Sequence, residues 1–154
     1  MLEQEKSPFT VSLEDDSGYL MLQASNLWAH YQDKALKRHY GLSHVQFSVL
    51  ASISWQVLEE KKQATQTMLA EQTKISPMTI SQMLKVLETR GYVYRTKHLT
   101  DVRAKAVDLT QEGKELTNKA MKTIYSIDAK FFRILGKNIK CFNRYMFELL
   151  KAND

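Results

Sequence analysis

Apolar residues recur at helical spacing along most of this 154-residue chain, and this periodicity limits the folds it can adopt more than any other feature. Only five glycines and two prolines interrupt the pattern, too few for the turns of a sandwich or another turn-rich β fold. The length is suited to one domain with its own hydrophobic core. The sequence therefore predicts a single, mostly helical domain over residues 1–154.

Capping residues mark where the predicted helices begin and end. The first helix runs from Ser17 to Tyr40 and ends at Gly41, a residue type that favours a left-handed C-cap. Ser43 and Gln46 have the spacing of a capping box at the start of the second helix. The residues predicted to cap later helices are Thr65, Ser76 and Thr110. The helical pattern after Thr110 breaks at Gly136 and then resumes.

Two predicted strands, residues 92–97 and 103–109, follow Gly91 and are joined by the loop HLTDV. A short strand is also predicted near Ala64. The predicted order is helix, helix, short helix, helix, hairpin, long helix, helix. This order is typical of a winged helix-turn-helix. The predicted fold class is therefore mostly α with one β-hairpin, with additional helices at the N- and C-termini.

Net charge is distributed unevenly along the chain. Residues 1–60 carry four Lys or Arg and eight Asp or Glu, which gives a net charge of −4. Residues 61–110 carry nine and four, and residues 111–154 carry nine and five, which gives +5 and +4. A basic central segment favours a polyanionic partner, although a solvated basic surface would have the same composition.

The sequence also predicts a cytoplasmic protein. Its single cysteine, Cys141, permits no internal disulfide, which suits a reducing compartment. The acidic N-terminus lacks the basic and then apolar order of a secretion signal. No apolar run reaches the roughly 18 residues that a membrane span requires.

Residues 76–90 predict a helix with one apolar and one small, polar face. Ser76 is the expected N-cap, with Pro77 at the first helical position. The inward positions are Ile80, Met83 or Leu84, and Leu87, and the outward positions are Pro77, Met78, Thr79, Ser81, Gln82 and Lys85. Such an outer face can approach base edges in a major groove about 12 Å wide. There Gln82 can pair with an adenine, and Met78 or Pro77 can touch a thymine methyl. A helix that only packs is the alternative.

The hairpin that follows this helix is basic. Its cations and its tip histidine are Arg95, Lys97, His98, Arg103 and Lys105. His98 is placed to approach a phosphate. Asp101 lies two residues before Arg103 and can hold that side chain extended through a charge-assisted pair, as insertion into a narrow minor groove requires. Helix and hairpin together predict binding to double-stranded DNA, and a solvated hairpin with incidental charges is the alternative.

Three stretches resemble the MarR family of bacterial transcription regulators. GLSHVQFSVLASI is similar to the family's second-helix opening, and LAEQTKISPMTISQMLKVLETRGYVYR is similar to its helix-turn-helix running into the wing. DVRAKAVDLTQEGKEL is similar to its Asp-x-Arg wing and the Leu-Thr-x-x-Gly start of the next helix. The resemblance, which extends from Gly18 to the end, implies a homodimer joined through residues 1–40 and 111–154. It implies that residues 43–110 form the winged helix-turn-helix, which reads a palindromic operator.

The resemblance also implies roles for individual residues. The base-reading positions fall on Pro77, Met78, Thr79, Ser81 and Gln82, the wing positions on Asp101 and Arg103, and the strand-entry arginine on Arg95. Gln82 departs from the family pattern, in which Arg is frequent, and so does the Pro77-Met78 pair. These departures leave the preferred bases open.

Proteins similar to this one often bind a small aromatic or lipophilic effector between their dimerisation and DNA-binding parts. The residues predicted to line such a pocket are Trp28, Tyr31, Phe47 and Trp55, with plain core packing as the alternative. Aromatic and apolar residues late in the chain, which favour a dimer, are Phe131, Phe132, Phe142, Tyr145, Met146 and Phe147. Closure of these side chains over the chain's own core is the alternative to a dimer.

Other site chemistries have little support in the sequence. Cys141 has basic neighbours, but oxidant-sensing relatives usually carry the thiol near the N-terminus, so an ordinary half-buried cysteine is expected. His30, His39 and His44 lack further ligands nearby for zinc. Since no phosphate loop or catalytic constellation can be traced, we expect no enzyme activity, cofactor or metal. The predicted function is a ligand-responsive repressor, and a winged-helix module for protein or RNA contact is the alternative.

Overall fold

The computed structural model describes residue 8 and residues 10–154, so the start of the predicted dimerisation segment 1–40 lies partly outside the described residues. The helices are α1 Ser17–Tyr40, α2 His44–Leu58, α3 Gln66–Thr73, α4 Pro77–Thr89, α5 Gln111–Phe131 and α6 Ile139–Asn153. A 3-10 segment, Phe132–Asn138, separates α5 from α6. The strands are β1 Ala64–Thr65, β2 Val93–Lys97 and β3 Lys105–Leu109. The predicted order of elements is confirmed.

The predicted capping interactions are present. Gly41 has φ 63°, and its N–H donates to carbonyls of the last turn of α1. The Ser43 hydroxyl accepts from Gln46 N at 3.1 Å, while Gln46 Oε1 accepts from Ser43 N at 2.9 Å. The side chains that accept a backbone N–H three residues ahead are Thr65, Ser76 and Thr110. Local sequence thus determines where four of the helices begin.

The three strands form one antiparallel sheet in the order β1-β3-β2. The register between β2 and β3 places Val93 opposite Leu109 and Lys97 opposite Lys105. On the other side of β3, Ala64 lies opposite Val107, which confirms the short strand predicted near Ala64. The hairpin is therefore anchored to the body of the domain through β1.

Both predicted hairpin strands are longer than the observed strands. β2 begins one residue later than predicted, because Tyr92 N donates instead to Leu87 O at 2.9 Å. β3 begins at Lys105, whereas the prediction began it at Arg103. Arg103 N donates to Asp101 Oδ1 at 2.9 Å, so its N–H is used within the loop. Arg103 consequently lies in the wing loop and not on a strand.

A single core lies between α2, α3, α4, the sheet and α5. Its fully buried side chains include Leu36, Leu42, Leu50, Ile53, Leu69, Ile80, Leu84, Leu87 and Val107. Three of these residues come from α4, so the polar helix face predicted to meet DNA lies opposite a well-packed one. Burying a leucine or isoleucine side chain stabilises a fold by about 1.5–3 kcal/mol.

Hydrogen bonds and close packing hold the start of α5 against the residues that follow α4. The Thr110 hydroxyl donates to Gly91 O at 2.6 Å and accepts from Gly113 N at 3.0 Å. A Cβ at Gly113 would lie 2.0 Å from Tyr92 O, far inside any allowed contact. The glycine of the Leu-Thr-x-x-Gly motif is therefore required by close packing of the helix on the Tyr92 carbonyl. We call this arrangement of residues 91–92 with 110–113 the α4–α5 junction.

The two long helices α1 and α5 pack together and share polar contacts. Trp28 Nε1 donates to Asp128 Oδ1 at 2.8 Å, and the buried Gln32 Nε2 donates to the same oxygen at 3.3 Å. Farther along the same pair of helices, the Tyr40 hydroxyl lies 2.6 Å from Thr123 Oγ1. These contacts fix the direction of α5 relative to α1.

An ion pair supports the corner between α1 and α2. Asp33 Oδ2 lies 2.5 Å from Lys37 Nζ, and Asp33 Oδ1 accepts from His44 N at 3.1 Å. The hydrogen bond from Lys37 lowers the pKa of Asp33, and the bond from the His44 backbone N–H lowers it further. The Asp33 carboxylate therefore supports the first turn of α2 in its charged form.

The end of the chain leaves the core. Gly136, with φ 48°, breaks the helical path between α5 and α6, and no residue of α6 is buried. Its exposed apolar side chains include Tyr145, Phe147, Leu149 and Leu150. Of the late residues predicted to favour a dimer, Phe142, Tyr145 and Phe147 are exposed, whereas Phe131, Phe132 and Met146 are half-buried. Within the described part of the chain, no helix has both the length and the hydropathy needed to cross a membrane.

Candidate nucleic-acid interface

The turn between α3 and α4 is held by side-chain hydrogen bonds to the backbone. Thr73 Oγ1 donates to Leu69 O at 2.7 Å and accepts from Ile75 N at 3.3 Å. Lys74 adopts φ 58°, a left-handed conformation that reverses the chain between the two helices. Ser76 Oγ accepts from Thr79 N at 3.2 Å and so begins α4. This geometry fixes the angle at which α4 leaves the body of the domain.

The two faces of α4 are distributed as the sequence predicted. Ile80, Leu84 and Leu87 are buried, and Met83 is half-buried, so Leu84 occupies the position for which two candidates were open. The exposed residues of the predicted site are Ser76, Pro77, Met78, Gln82 and Lys85, whereas Thr79 and Ser81 are half-buried. Met78 is the most exposed large apolar side chain of the helix, at 71%. The described face is narrow, polar and open to solvent, as major-groove contact requires.

The wing loop has a defined hydrogen-bonding pattern. His98 Nδ1 accepts from Asp101 N at 3.1 Å and from Thr100 N at 3.3 Å, so one ring nitrogen is used in the loop. The side chain of Gln63, just before β1, also holds the wing loop. Its Oε1 accepts from Leu99 N at 2.8 Å, and its Nε2 donates to Lys97 O at 3.4 Å. Gln63 was not predicted, since its contacts depend on the pairing of β1 with β3.

The predicted ion pair between Asp101 and Arg103 is wrong. Asp101 Oδ1 accepts the backbone N–H of Arg103, and within the described residues no carboxylate lies within 4 Å of the guanidinium. A two-residue spacing suits this local side-chain-to-backbone bond better than a pair between two side chains. Asp101 therefore shapes the loop, while the Arg103 side chain is exposed at its surface.

Arg95 is not a free strand-entry cation. Its Nε lies 3.2 Å from Glu88 Oε2, on the last turn of α4. The side chains of Arg95 and Glu88 are 26% and 43% exposed, so the pair is only partly shielded from solvent. Arg90 also ties this end of α4 to its surroundings, because its Nη1 donates to Gly41 O at 2.9 Å. Glu88 was missed because no rule of sequence spacing joins a helix to the strand that follows it.

The residues predicted to line an effector pocket do not converge. Phe47 is buried in the core and Trp55 is half-exposed on α2. Tyr31 lines a groove of about 590 Å³ between α1 and α5, whereas Trp28 lines a different groove of about 500 Å³ beside α6. In the single chain these four aromatics therefore do not line one groove, and the effector pocket stays a prediction. Helical position alone did not show which neighbour each ring faces.

The groove at Tyr31 combines an apolar floor with a cationic rim. Its apolar lining comes from Leu27, Tyr31, Ala35, Ile127 and Phe131, and its basic lining comes from Lys34, Arg38, His39 and Lys130. No acidic residue lines it. This combination can hold a molecule that is apolar at one end and anionic at the other.

Cysteine and histidine do not form a site in the described structure. Cys141 is exposed, so the expectation of a half-buried cysteine is wrong for the single chain. His30 lies beside the Tyr31 ring, and His44 lies near Asp33. Across residues 10–154, no three His, Cys, Asp or Glu side chains are grouped as metal ligands.

Comparison with known proteins agrees with this geometry. The MarR family model matches residues 42–105. The chain is 32% identical over 134 residues to the uncharacterized HTH-type transcriptional regulator YdcH of Bacillus subtilis, covering 87% of this chain and 89% of the relative. The M. tuberculosis transcriptional regulator MOSR, solved in complex with DNA, superposes with a TM-score of 0.71 and 26% identity, covering 90% and 96% of the two chains.

A further solved structure shows the same fold. CouR from Rhodococcus jostii RHA1, bound to p-coumaroyl-CoA, superposes with a TM-score of 0.78 at 24% identity, covering 93% of this chain and 96% of CouR. Family model, relative and fold agree with the exposed α4 face and the basic wing. The chain belongs to the MarR family of DNA-binding transcription regulators.

Proposed function

We propose that the chain is a ligand-responsive repressor that binds a palindromic operator as a homodimer. The observation that carries this proposal is the exposed face of α4, which lies beside a cationic wing and opposite a fully packed apolar face. A DNA partner is consistent with a cytoplasmic location and with a role that involves no catalysis.

In this proposal α4 reads the bases and the wing binds the backbone. Gln82, exposed in the middle of α4, would form a two-point contact with an adenine, and Met78 would touch a thymine methyl. The half-buried Thr79 and Ser81 would contact bases or phosphates through their hydroxyls. The phosphate ligands would be Lys85, Lys97, Arg103 and Lys105. His98 would act mainly through the shape of the wing loop, because its Nδ1 accepts backbone N–H groups there.

The proposed homodimer rests on the apolar surface that one chain leaves uncovered. α6 has no buried residue, and the groove of about 500 Å³ between α1, the 3-10 segment and α6 is lined almost entirely by apolar side chains. A monomer that kept this surface in water would be unusual. We place the dimer contact on residues 1–40 and 111–154 and the winged helix-turn-helix on residues 43–110.

The proposed effector site is the groove at Tyr31. Its apolar floor and cationic rim suit an aromatic or lipophilic molecule that carries a negative charge. CouR, which has the same fold, was solved with p-coumaroyl-CoA, an aromatic acyl group on an anionic carrier. A ligand that favours a dimer with mismatched α4 helices would weaken operator binding by its difference in affinity for the two geometries.

Selection of bound duplexes from a randomised DNA library tests the proposal. We expect an enriched palindrome with half-sites about one helical turn apart, bound with an affinity that falls steeply with salt. An aromatic carboxylate that binds the groove would lower that affinity. Weak binding without an enriched motif would contradict operator recognition and would favour a winged helix that contacts protein or RNA.

A further inference from the structure

One ion pair joins the last turn of α4 to the wing. Glu88 is the only carboxylate among residues 77–89 of α4, and its Oε2 lies 3.2 Å from Arg95 Nε on β2. β2 runs from the end of α4 to the wing loop. The pair therefore lies between the two parts of the surface that are proposed to contact DNA.

Arg95 differs from the other cations of this surface. Within the described residues, no carboxylate oxygen lies within 4 Å of the basic groups of Lys85, Lys97, Arg103 or Lys105. Each of these four can meet a phosphate as a full positive charge. Arg95 is the cation of this surface whose charge is already balanced within the protein.

We expect this pair to contribute little to the stability of the fold. Exposed ion pairs contribute little to folding, because water screens them and ordering two long side chains costs entropy. The end of α4 and the start of β2 are held by the buried Leu87 and Val93. Arg90 adds a hydrogen bond to Gly41 O and lies over the Tyr92 ring. The main effect of Glu88 is thus on the charge of the surface, and not on its shape.

We propose that Glu88 is the intramolecular counter-ion of Arg95 and that it reduces the sequence-independent attraction of the protein for DNA. A cation that neutralises a phosphate releases about 0.9 of a condensed counter-ion, which makes binding stronger at low salt. A cation that a neighbouring carboxylate already neutralises adds much less. This assignment rests on the proposed DNA-binding function and names Glu88, which is on the recognition helix, as a residue that adjusts it.

Glu88→Gln tests the proposal, because glutamine keeps an acceptor for Arg95 but removes the charge. The slope of log affinity against log salt should steepen by about 0.9 for each bound protomer. Affinity at about 0.1 M salt should rise by about eightfold per protomer, on operator and random duplexes alike. The readout is fluorescence anisotropy of labelled duplexes between about 0.05 and 0.3 M salt.

Two further variants separate charge at this position from other effects. Glu88→Gln combined with Arg95→Gln should restore the wild-type slope, because the surface regains its original charge. Glu60→Gln, in the loop after α2, frees Lys62 in the same way, with an Nζ–Oε2 distance of 3.5 Å in the wild type, and changes the net charge equally. This control should leave the slope unchanged, because the cation that it frees is not among the residues proposed to contact DNA.

The outcomes distinguish this inference from the proposed function. An unchanged or shallower slope for Glu88→Gln, with a wild-type protein that selects an operator, would overturn the role of Glu88 alone. An equal increase for Glu60→Gln would also overturn it, since net charge would then be the cause. A wild-type protein without salt-sensitive DNA binding would instead overturn the proposed function.

Discussion

Gly113 lies at the most tightly packed position of the α4–α5 junction, where there is no room for a side chain. A Cβ there would lie 2.0 Å from the Tyr92 carbonyl oxygen, which belongs to the backbone and cannot rotate away. Gly113→Ala should therefore push α5 off the α4–α5 junction. We expect the free energy of unfolding to fall by about 1–3 kcal/mol or more, measured by urea denaturation.

Gly18→Ala is the matched control for this substitution. Gly18 lies in the first turn of α1, where an added Cβ would come no closer than 3.5 Å to Asp16 Oδ1. Alanine in a helix reduces the entropy of the unfolded chain, so stability should stay constant or rise by about 0.4–1 kcal/mol. An equal loss of stability in both variants would show that close packing at Tyr92 is not the cause.

Asp33 gives the corner between α1 and α2 a dependence on pH. Its pKa is lowered from 3.8 in the folded state, mainly by Lys37. The stabilisation is therefore complete above the unfolded pKa and is lost as pH falls through the lower folded pKa. The difference in unfolding free energy between wild type and Asp33→Asn should be constant near neutral pH and shrink below 3.8.

Lys37→Gln provides the control for Asp33, because Lys37 is the main cause of the lowered pKa. It should remove most of the pH-dependent part of the difference and leave the hydrogen bond from His44 N. Chemical denaturation at a series of pH values measures both variants. A stabilisation by Asp33 that grows towards low pH would contradict the assigned sign.

At this scale the sequence predicted contacts within a few residues and missed contacts between elements. The Ser43–Gln46 capping box follows from spacing alone and is present. The Glu88–Arg95 pair depends on how β2 packs on α4, which no local pattern contains. For Asp101 even the local prediction was wrong. Its carboxylate accepts the backbone N–H of Arg103 and does not pair with the guanidinium.

At the scale of elements, α4 is the part whose chemistry the sequence predicts most fully. Burial of Ile80, Leu84 and Leu87 confirms the helical period, so the identity of the outer face follows from the sequence. The limits of β2 and β3 were less predictable. The ends of a strand depend on which N–H groups the adjoining turn takes, as Arg103 N shows.

Gln82→Ala tests the function of α4 as an element. Removing a two-point contact should relax the preference at one base pair of each half-site, with about 1–3 kcal/mol of discrimination lost. Repeating the library selection with the variant measures this change directly. The same bases, enriched as strongly as with the wild type, would exclude Gln82 from base reading.

Lys85→Ala is the control on the same exposed face, one turn farther along α4. A phosphate ligand has no base preference, so this variant should weaken binding to all duplexes and retain the selected motif. The two variants together separate loss of specificity from loss of affinity. A changed motif for Lys85→Ala would mean that Lys85 itself contacts bases.

The whole molecule is least predictable where it depends on another chain or on the packing of distant helices. Helical periodicity indicated apolar surface on the last helices, and the structure leaves that surface exposed on α6. The effector pocket stays a prediction, because in one chain Trp28 and Tyr31 line separate grooves on α1. Knowing that a ring lies on a helix does not determine its neighbours.

Leu150→Glu tests the proposed dimer at this scale. Leu150 is 53% exposed on the apolar side of α6, so a charge there should be tolerated by the monomer but not by the contact. We expect sedimentation equilibrium to show a monomer and operator affinity to fall sharply. Val102→Glu, at a fully exposed position in the wing loop, should keep the wild-type mass. A monomeric wild-type protein would contradict the proposed dimer.

Because the α4–α5 junction joins the start of α5 to the end of α4, a rotation of α5 would also move α4. With 21 residues, α5 is about 31 Å long, and its first turn is clamped to the end of α4. Rotating α5 by about 10° about its C-terminal end would displace its first turn by about 5 Å. In the proposed dimer, bound to two half-sites about 34 Å apart, opposite displacements of the two protomers would change the span by nearly a third. In the proposed dimer, a small rotation of α5 near Phe131 would therefore move both α4 helices out of register with successive major grooves.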